Sequence, residues 1–85
     1  MILGMDVGNT NIKFGLFDKD NLLHSWRMHS DVLKTADDYG INVTSFFNRV
    51  GLDLHRVDGI IISSVVPAIN YTLEHMCKLY FDIVP

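Results

Sequence analysis

Two strand-like segments, Ile2 to Val7 and Asn11 to Phe17, are separated by only Gly8-Asn9-Thr10. A link that short predicts a tight antiparallel hairpin, and Gly-Asn is a strong turn signal. In the second segment Ile12, Phe14 and Leu16 alternate with Asn11, Lys13 and Gly15, so one face is apolar and the other polar. Asp18-Lys19-Asp20-Asn21 is a second turn of polar residues. Leu22 to His29 follows as a third strand, with Leu22, His24, Trp26 and Met28 expected on one face.

Beyond a connector at Ser30 to Lys34, Thr35 reads as a helix N-cap. Asp37 and Asp38 fall in the first turn, where the helix dipole favours negative charge. Tyr39, Val43, Phe46, Phe47 and Val50 give a helical stripe, Gly40 interrupts it, and Gly51 suits the position just past its end. Leu52 to Asp58 is a linking loop. Gly59-Ile60-Ile61-Ile62-Ser63-Ser64 is predicted to be a strand buried on both faces. Val66-Pro67 opens a second helix with Ile69, Leu73, Met76 and Tyr80 along one side, and Tyr80 to Pro85 is an apolar run that begins like a strand. The order β-β-β-α-β-α implies a mixed sheet with helices packed on it. There are no repeats and no internal domain boundary.

Seven Lys and Arg against ten Asp and Glu give a net charge of −3 over 85 residues. An acidic chain without a basic cluster argues against nucleic-acid binding through phosphate neutralisation. No apolar stretch approaches the roughly 18 residues that span a bilayer. Met1-Ile2-Leu3-Gly4 runs straight into a strand pattern, so no secretory leader is expected. The single cysteine, Cys77, has no intrachain partner and suits a reducing cytoplasm. A hydrophobic content of 48% is high for a small self-contained domain, which buries only about 60–65% of its unfolded surface. That mismatch predicts a piece of a larger core, or a chain that buries apolar faces against a partner.

The chemistry concentrates in Asp6-Val7-Gly8-Asn9-Thr10-Asn11-Ile12-Lys13. Gly8 and Asn9 are residues that tolerate a turn baring its backbone N–H groups, and a run of such donors cradles anions. Thr10 and Asn11 add a hydroxyl and an amide at the rim. A carboxylate at the end of the first strand, Asp6, suits Mg²⁺, and Lys13 shares the strand face of Asn11. Carboxylate, bared backbone and lysine together are what a nucleotide triphosphate with its metal requires. The same residues also read as an ordinary hairpin turn with an Asx-type Asp6 and a solvated Lys13. The segment is neither a Walker A loop nor a dinucleotide fingerprint, because a strand follows Gly8.

Residues 1 to 18, Met-Ile-Leu-Gly-Met-Asp-Val-Gly-Asn-Thr-Asn-Ile-Lys-Phe-Gly-Leu-Phe-Asp, resemble the opening of the type III pantothenate kinases. Arg27 with Thr35-Ala36-Asp37-Asp38-Tyr39, and Ile62-Ser63-Ser64-Val65-Val66-Pro67, are similar to the same family and follow in the same order. His29-Ser30 departs from it, standing where the family often has threonine. The family belongs to the superfamily of acetate and sugar kinases, heat-shock chaperones and actin. The resemblance implies an α/β fold, ribonuclease-H-like (actin-like ATPase), of which this chain is an incomplete first domain.

For function, the resemblance implies ATP-dependent phosphorylation of pantothenate, the first step toward coenzyme A, by a cytoplasmic homodimer using Mg²⁺ and a monovalent cation (K⁺ or NH₄⁺). Asp6 would sit by the magnesium. Val7, Gly8, Asn9, Thr10, Asn11 and Ile12 would form the phosphate loop, and Lys13 would meet the phosphoryl oxygens. The family's base is an aspartate in a Gly-x-Asp-Arg segment. No Asp-Arg pair occurs here, so the base is expected beyond Pro85, and no catalytic residue is assigned within the chain.

Three other readings compete with this one: a non-catalytic relative of the Bvg accessory factor kind, regulating transcription; a kinase of the superfamily acting on a sugar or carboxylic acid; and a purely structural hairpin-and-helix module. Elsewhere, Ser63 and Ser64 read as helix-capping residues, with a place at the border of a ligand cleft as the alternative. Cys77 reads as a buried thiol, and Trp26 as core or interface. His24, His29, His55 and His75 show no metal spacing, and Arg27 reads as a surface partner of Asp37 or Asp38.

Overall fold

The computed structural model describes residues 1–85. It has strands β1 (Ile2–Val7), β2 (Asn11–Asp18) and β3 (Asn21–His29), helix α1 (Ala36–Arg49), strand β4 (Gly59–Ser64) and helix α2 (Pro67–Phe81). A 3₁₀ turn, Leu54–Arg56, lies in the predicted loop before β4. The first three strands form an antiparallel meander and β4 joins β1 in parallel, giving the sheet order β3-β2-β1-β4. The mixed sheet and the β-β-β-α-β-α order are those predicted, and they match the first part of an actin-like ATPase domain.

Alternation along the strands decides which face is covered. Leu3, Met5 and Val7 of β1 and Ile12, Phe14 and Leu16 of β2 are buried against Tyr39, Val43 and Phe47 of α1 and Ile69, Leu73 and Met76 of α2. Both helices therefore pack on one side of the sheet. Trp26 of β3 is sandwiched between Phe14 and Phe46, with ring centroids 4.6 and 3.8 Å away. The residues between these, among them Asp6, Lys13 and Ser63, emerge on the opposite, uncovered face.

α1 starts at a capping box. Thr35 Oγ1 accepts from Asp38 N at 3.1 Å, and Asp38 Oδ2 accepts from Thr35 N at 2.9 Å. Beyond its end Gly51 takes φ +75°, the left-handed geometry that glycine adopts without cost. Gly40, a poor helix former, is explained by α2: the Tyr80 ring lies directly over it, where any Cβ would collide. Tyr80 Oη then donates to Asp37 Oδ1 at 2.8 Å, closing the helix pair.

Several expectations are corrected. β4 is covered on one face only, since Ile60 is buried while Ile61 is 65% exposed. Leu22 does not share the face of Trp26, because a bulge between Leu16 and Phe17 shifts the register and sets Leu22 opposite Phe17. Tyr80 and Phe81 do not begin a strand. They complete α2, Phe81 packs edge-on against Phe47 at 5.8 Å, and Asp82 ends the helix at φ 56°. Arg27 pairs with neither expected acid, as Asp38 is engaged in the capping box and Asp37 by Tyr80. Ser64 is not the cap of α2. Val66 is, and the Ser64 hydroxyl accepts from Val66 N at 3.0 Å and donates to its carbonyl at 3.1 Å.

Candidate phosphate-binding bend

The sheet register assembles the site. Asp6 is the cross-strand partner of Lys13 on β2 and of Ser63 on β4, so the three stand in one row across three strands. All three are exposed. Asp6, Lys13 and Ser63 line a shallow depression of about 310 Å³ together with Gly4, Gly15 and the apolar side chains of Phe17, Leu22 and Ile61. The chain's two ion pairs lie elsewhere, between the N-terminal ammonium and Asp58 and between Asp53 and His55, leaving Asp6 and Lys13 without a charged partner.

The bend joining β1 to β2 lies one residue pair beyond that row, past Val7 and Ile12. Its only internal backbone bond runs from Gly8 N to the Asn11 carbonyl at 2.9 Å. Asn9 and Thr10 are exposed and donate their N–H groups to nothing in the chain. An undonated pair of adjacent amides beside a lysine is a chemically competent anion cradle. The cause of the openness differs from the sequence reading: neither Gly8 nor Asn9 has a positive φ. Glycine matters at position 8 for space, because a Cβ there would stand 3.3 Å from the Asn11 carbonyl.

The remaining members of the predicted segment divide clearly. The Asn11 amide reaches Thr10 Oγ1 at 3.5 Å on the exposed rim. Val7 and Ile12 are buried at 1% and 0% exposure, so their side chains build the core and only their backbone faces the bend. Even there, the Val7 carbonyl is taken by Val65 N at 3.2 Å. Asp6 is the one carboxylate at the site, and no cluster of three or more metal-ligating side chains exists anywhere in the chain. A lone carboxylate suits Mg²⁺, which keeps several waters and shares its remaining ligands with phosphate oxygens.

Sequence reasoning missed Ser30, which lay in a segment read as a connector. Its hydroxyl donates to the Gly8 carbonyl at 2.7 Å and its N–H to the Thr10 carbonyl at 2.8 Å. The available signal was its position, the first residue after a strand that runs back antiparallel to the bend. Cys77 is the buried thiol expected: burial, with Glu74 nearby, pushes its pKa up to about 12, far from a nucleophile's range. No helix is long and apolar enough to cross a membrane.

Comparison with known proteins identifies the family of the chain. A sequence model of the type III pantothenate kinases matches residues 2–85. Relatives described as type III pantothenate kinases share 48% identity over the whole chain in Exiguobacterium and 47% in Halalkalibacterium halodurans. A third, from Brevibacillus brevis, shares 51% over 82 residues, 96% of the chain. The chain spans about a third of the length of these relatives, 34%, 34% and 32% respectively. With the predicted motif and fold both present and a family match running from the second residue to the last, the chain belongs to the type III pantothenate kinase family.

Proposed function

We propose that this chain is the first part of a kinase domain that phosphorylates pantothenate with ATP, and that it supplies the first phosphate-binding loop. One observation supports the reading: the bend at Gly8 to Asn11 presents undonated Asn9 and Thr10 amides just beyond the row in which Asp6, without an ion-pair partner, stands opposite Lys13. Phosphoryl transfer asks a protein chiefly to position groups and to stabilise charge. In this reading the amides and Thr10 hold the terminal phosphates, and Lys13 meets the transferring oxygens. Asp6 would hold a magnesium ion, which would supply positive charge against the phosphates. The base that takes the proton of the acceptor hydroxyl, the adenosine pocket and the monovalent-cation site belong to the rest of the enzyme, which works as a cytoplasmic homodimer.

The test is a hybrid in which this chain replaces the matching third of the Halalkalibacterium halodurans relative. ATP-dependent phosphorylation of pantothenate that depends on Asp6 and Lys13 supports the proposal. A folded hybrid that binds nucleotide without phosphorylating pantothenate would point to a sensing role instead.

A further inference from the structure

A two-residue hairpin is ordinarily closed by two bonds between its flanking residues, and here one is missing. Gly8 N donates to the Asn11 carbonyl, but Asn11 N does not donate to the Gly8 carbonyl. Ser30 Oγ holds that carbonyl instead, at 2.7 Å. The Ser30 N–H holds the Thr10 carbonyl at 2.8 Å, so one residue fixes two of the bend's peptide groups. A trans peptide is planar, with its C=O and N–H pointing in opposite directions, and the chain has no cis bond. Drawing the Gly8 and Thr10 carbonyls toward Ser30 therefore turns the N–H groups of Asn9 and Asn11 away from it.

Ser30 is itself held. It is 7% exposed, the one buried residue of the chain with a polar side chain outside the apolar core cluster. The next residue, Asp31, is tied to α1 through Tyr39, whose hydroxyl donates to the Asp31 carbonyl at 2.8 Å and accepts from Asp31 N at 3.3 Å. Tyr39 is wholly buried between sheet and helices. The orientation of the bend is thus anchored in the core, at a point 22 residues along the chain from Gly8.

We propose that Ser30 is a positioning residue for the phosphate-binding bend: by occupying the Gly8 and Thr10 carbonyls it turns the Asn9 amide outward beside the undonated Thr10 amide and keeps Asn11 N–H off the Gly8 carbonyl, so that the bend stays open to a polyphosphate. The proposal rests on the reading of this bend as a phosphate site, and it makes a separate claim about the ligand-free chain. Without the Ser30 hydroxyl, the Gly8 carbonyl is released and Asn11 N–H closes the hairpin's second bond.

The experiment compares the ¹⁵N-labelled chain with S30A and S30T. Amide exchange at Asn9 and Asn11 is measured without ligand, and inorganic tripolyphosphate with Mg²⁺ is then titrated in. In S30A, exchange at Asn11 slows as its N–H closes onto the Gly8 carbonyl, and tripolyphosphate affinity falls, each by roughly tenfold for one hydrogen bond gained or lost. S30T, which keeps the hydroxyl, restores both. If S30A loses the amide pattern of the folded sheet, S30C, of similar size but a poor donor, takes its place. Exchange and affinity in S30A within twofold of the parent, or S30T behaving like S30A, would overturn the proposal. A parent chain that fails to bind tripolyphosphate refutes the phosphate reading, and with it the functional role of Ser30, while the exchange of Asn11 still shows whether Ser30 sets the bend.

Discussion

Asp6 and Lys13 stand opposite each other across β1 and β2, carry opposite charges, and form no ion pair. Cross-strand neighbours of opposite charge usually interact favourably. Leaving both free beside two undonated amides is an arrangement suited to a ligand carrying both negative charge and a metal.

Exchanging Asp6 for Asn in the hybrid kinase keeps the shape and removes the charge. Turnover is expected to fall by about 10²–10³, the usual cost of removing one electrostatic stabiliser from a reacting site. Thermal unfolding should be unchanged, because the side chain is exposed and unbonded. Lys13→Ala should damage ATP use above all, read as a raised KM for ATP with pantothenate saturating.

Gly40→Ala tests the helix pair. In an exposed helix this change stabilises by up to about 1 kcal/mol. Here the new methyl meets the Tyr80 ring, and overpacking of this kind costs about 1–3 kcal/mol. Urea unfolding should show destabilisation for Gly40→Ala, and the double change Gly40→Ala with Tyr80→Leu should recover most of it.

The capping box predicts an acid-sensitive helix. The Thr35 backbone N–H, and then its hydroxyl, lower the Asp38 pKa from the usual carboxylate range. A carboxyl depressed in the folded state contributes stability that is fully present above its unfolded value and is lost as pH falls through the folded one. Asp53, bonded by His55, and Asp58, bonded by the N-terminal ammonium, act in the same direction. Stability should therefore decline on acidification below the usual carboxylate range, and Asp38→Asn should lessen that decline. Thr35→Ala should cost about 1 kcal/mol near neutral pH.

Cys77 offers a probe of global unfolding. With its pKa near 12 and its side chain inaccessible, it should resist iodoacetamide at pH 8. Adding denaturant should raise the alkylation rate in step with loss of helical circular dichroism. Rapid labelling of the native chain would contradict the packing of α2.

Element order, the start of α1 and the bend between β1 and β2 were legible because each has a local signal: alternation in β2, Thr35 ahead of Asp37 and Asp38, and Gly-Asn between two apolar runs. Leu22 was misread because an extra residue on its own strand, Leu23, reverses the alternation, and nothing in the residue types marks that bulge. The tail was misread because Tyr80 and Phe81 favour strands by type, yet packing on Gly40 and Phe47 keeps them helical. β4 has the apolar composition of a doubly covered strand, and composition does not say which face the available helices reach. Ser30 was legible only as a departure from the family's threonine; its contacts were not, because its partners, Gly8 and Thr10, are distant in sequence and offer backbone oxygens, which no side-chain motif announces.

The most direct test follows the amides of Asn9 and Thr10 by ¹⁵N NMR while Mg²⁺-tripolyphosphate is added to the chain. Saturable shifts centred on these two residues, weakened by Lys13→Ala, are the predicted result. Shifts absent from the bend, or unaffected by loss of Lys13, would contradict it.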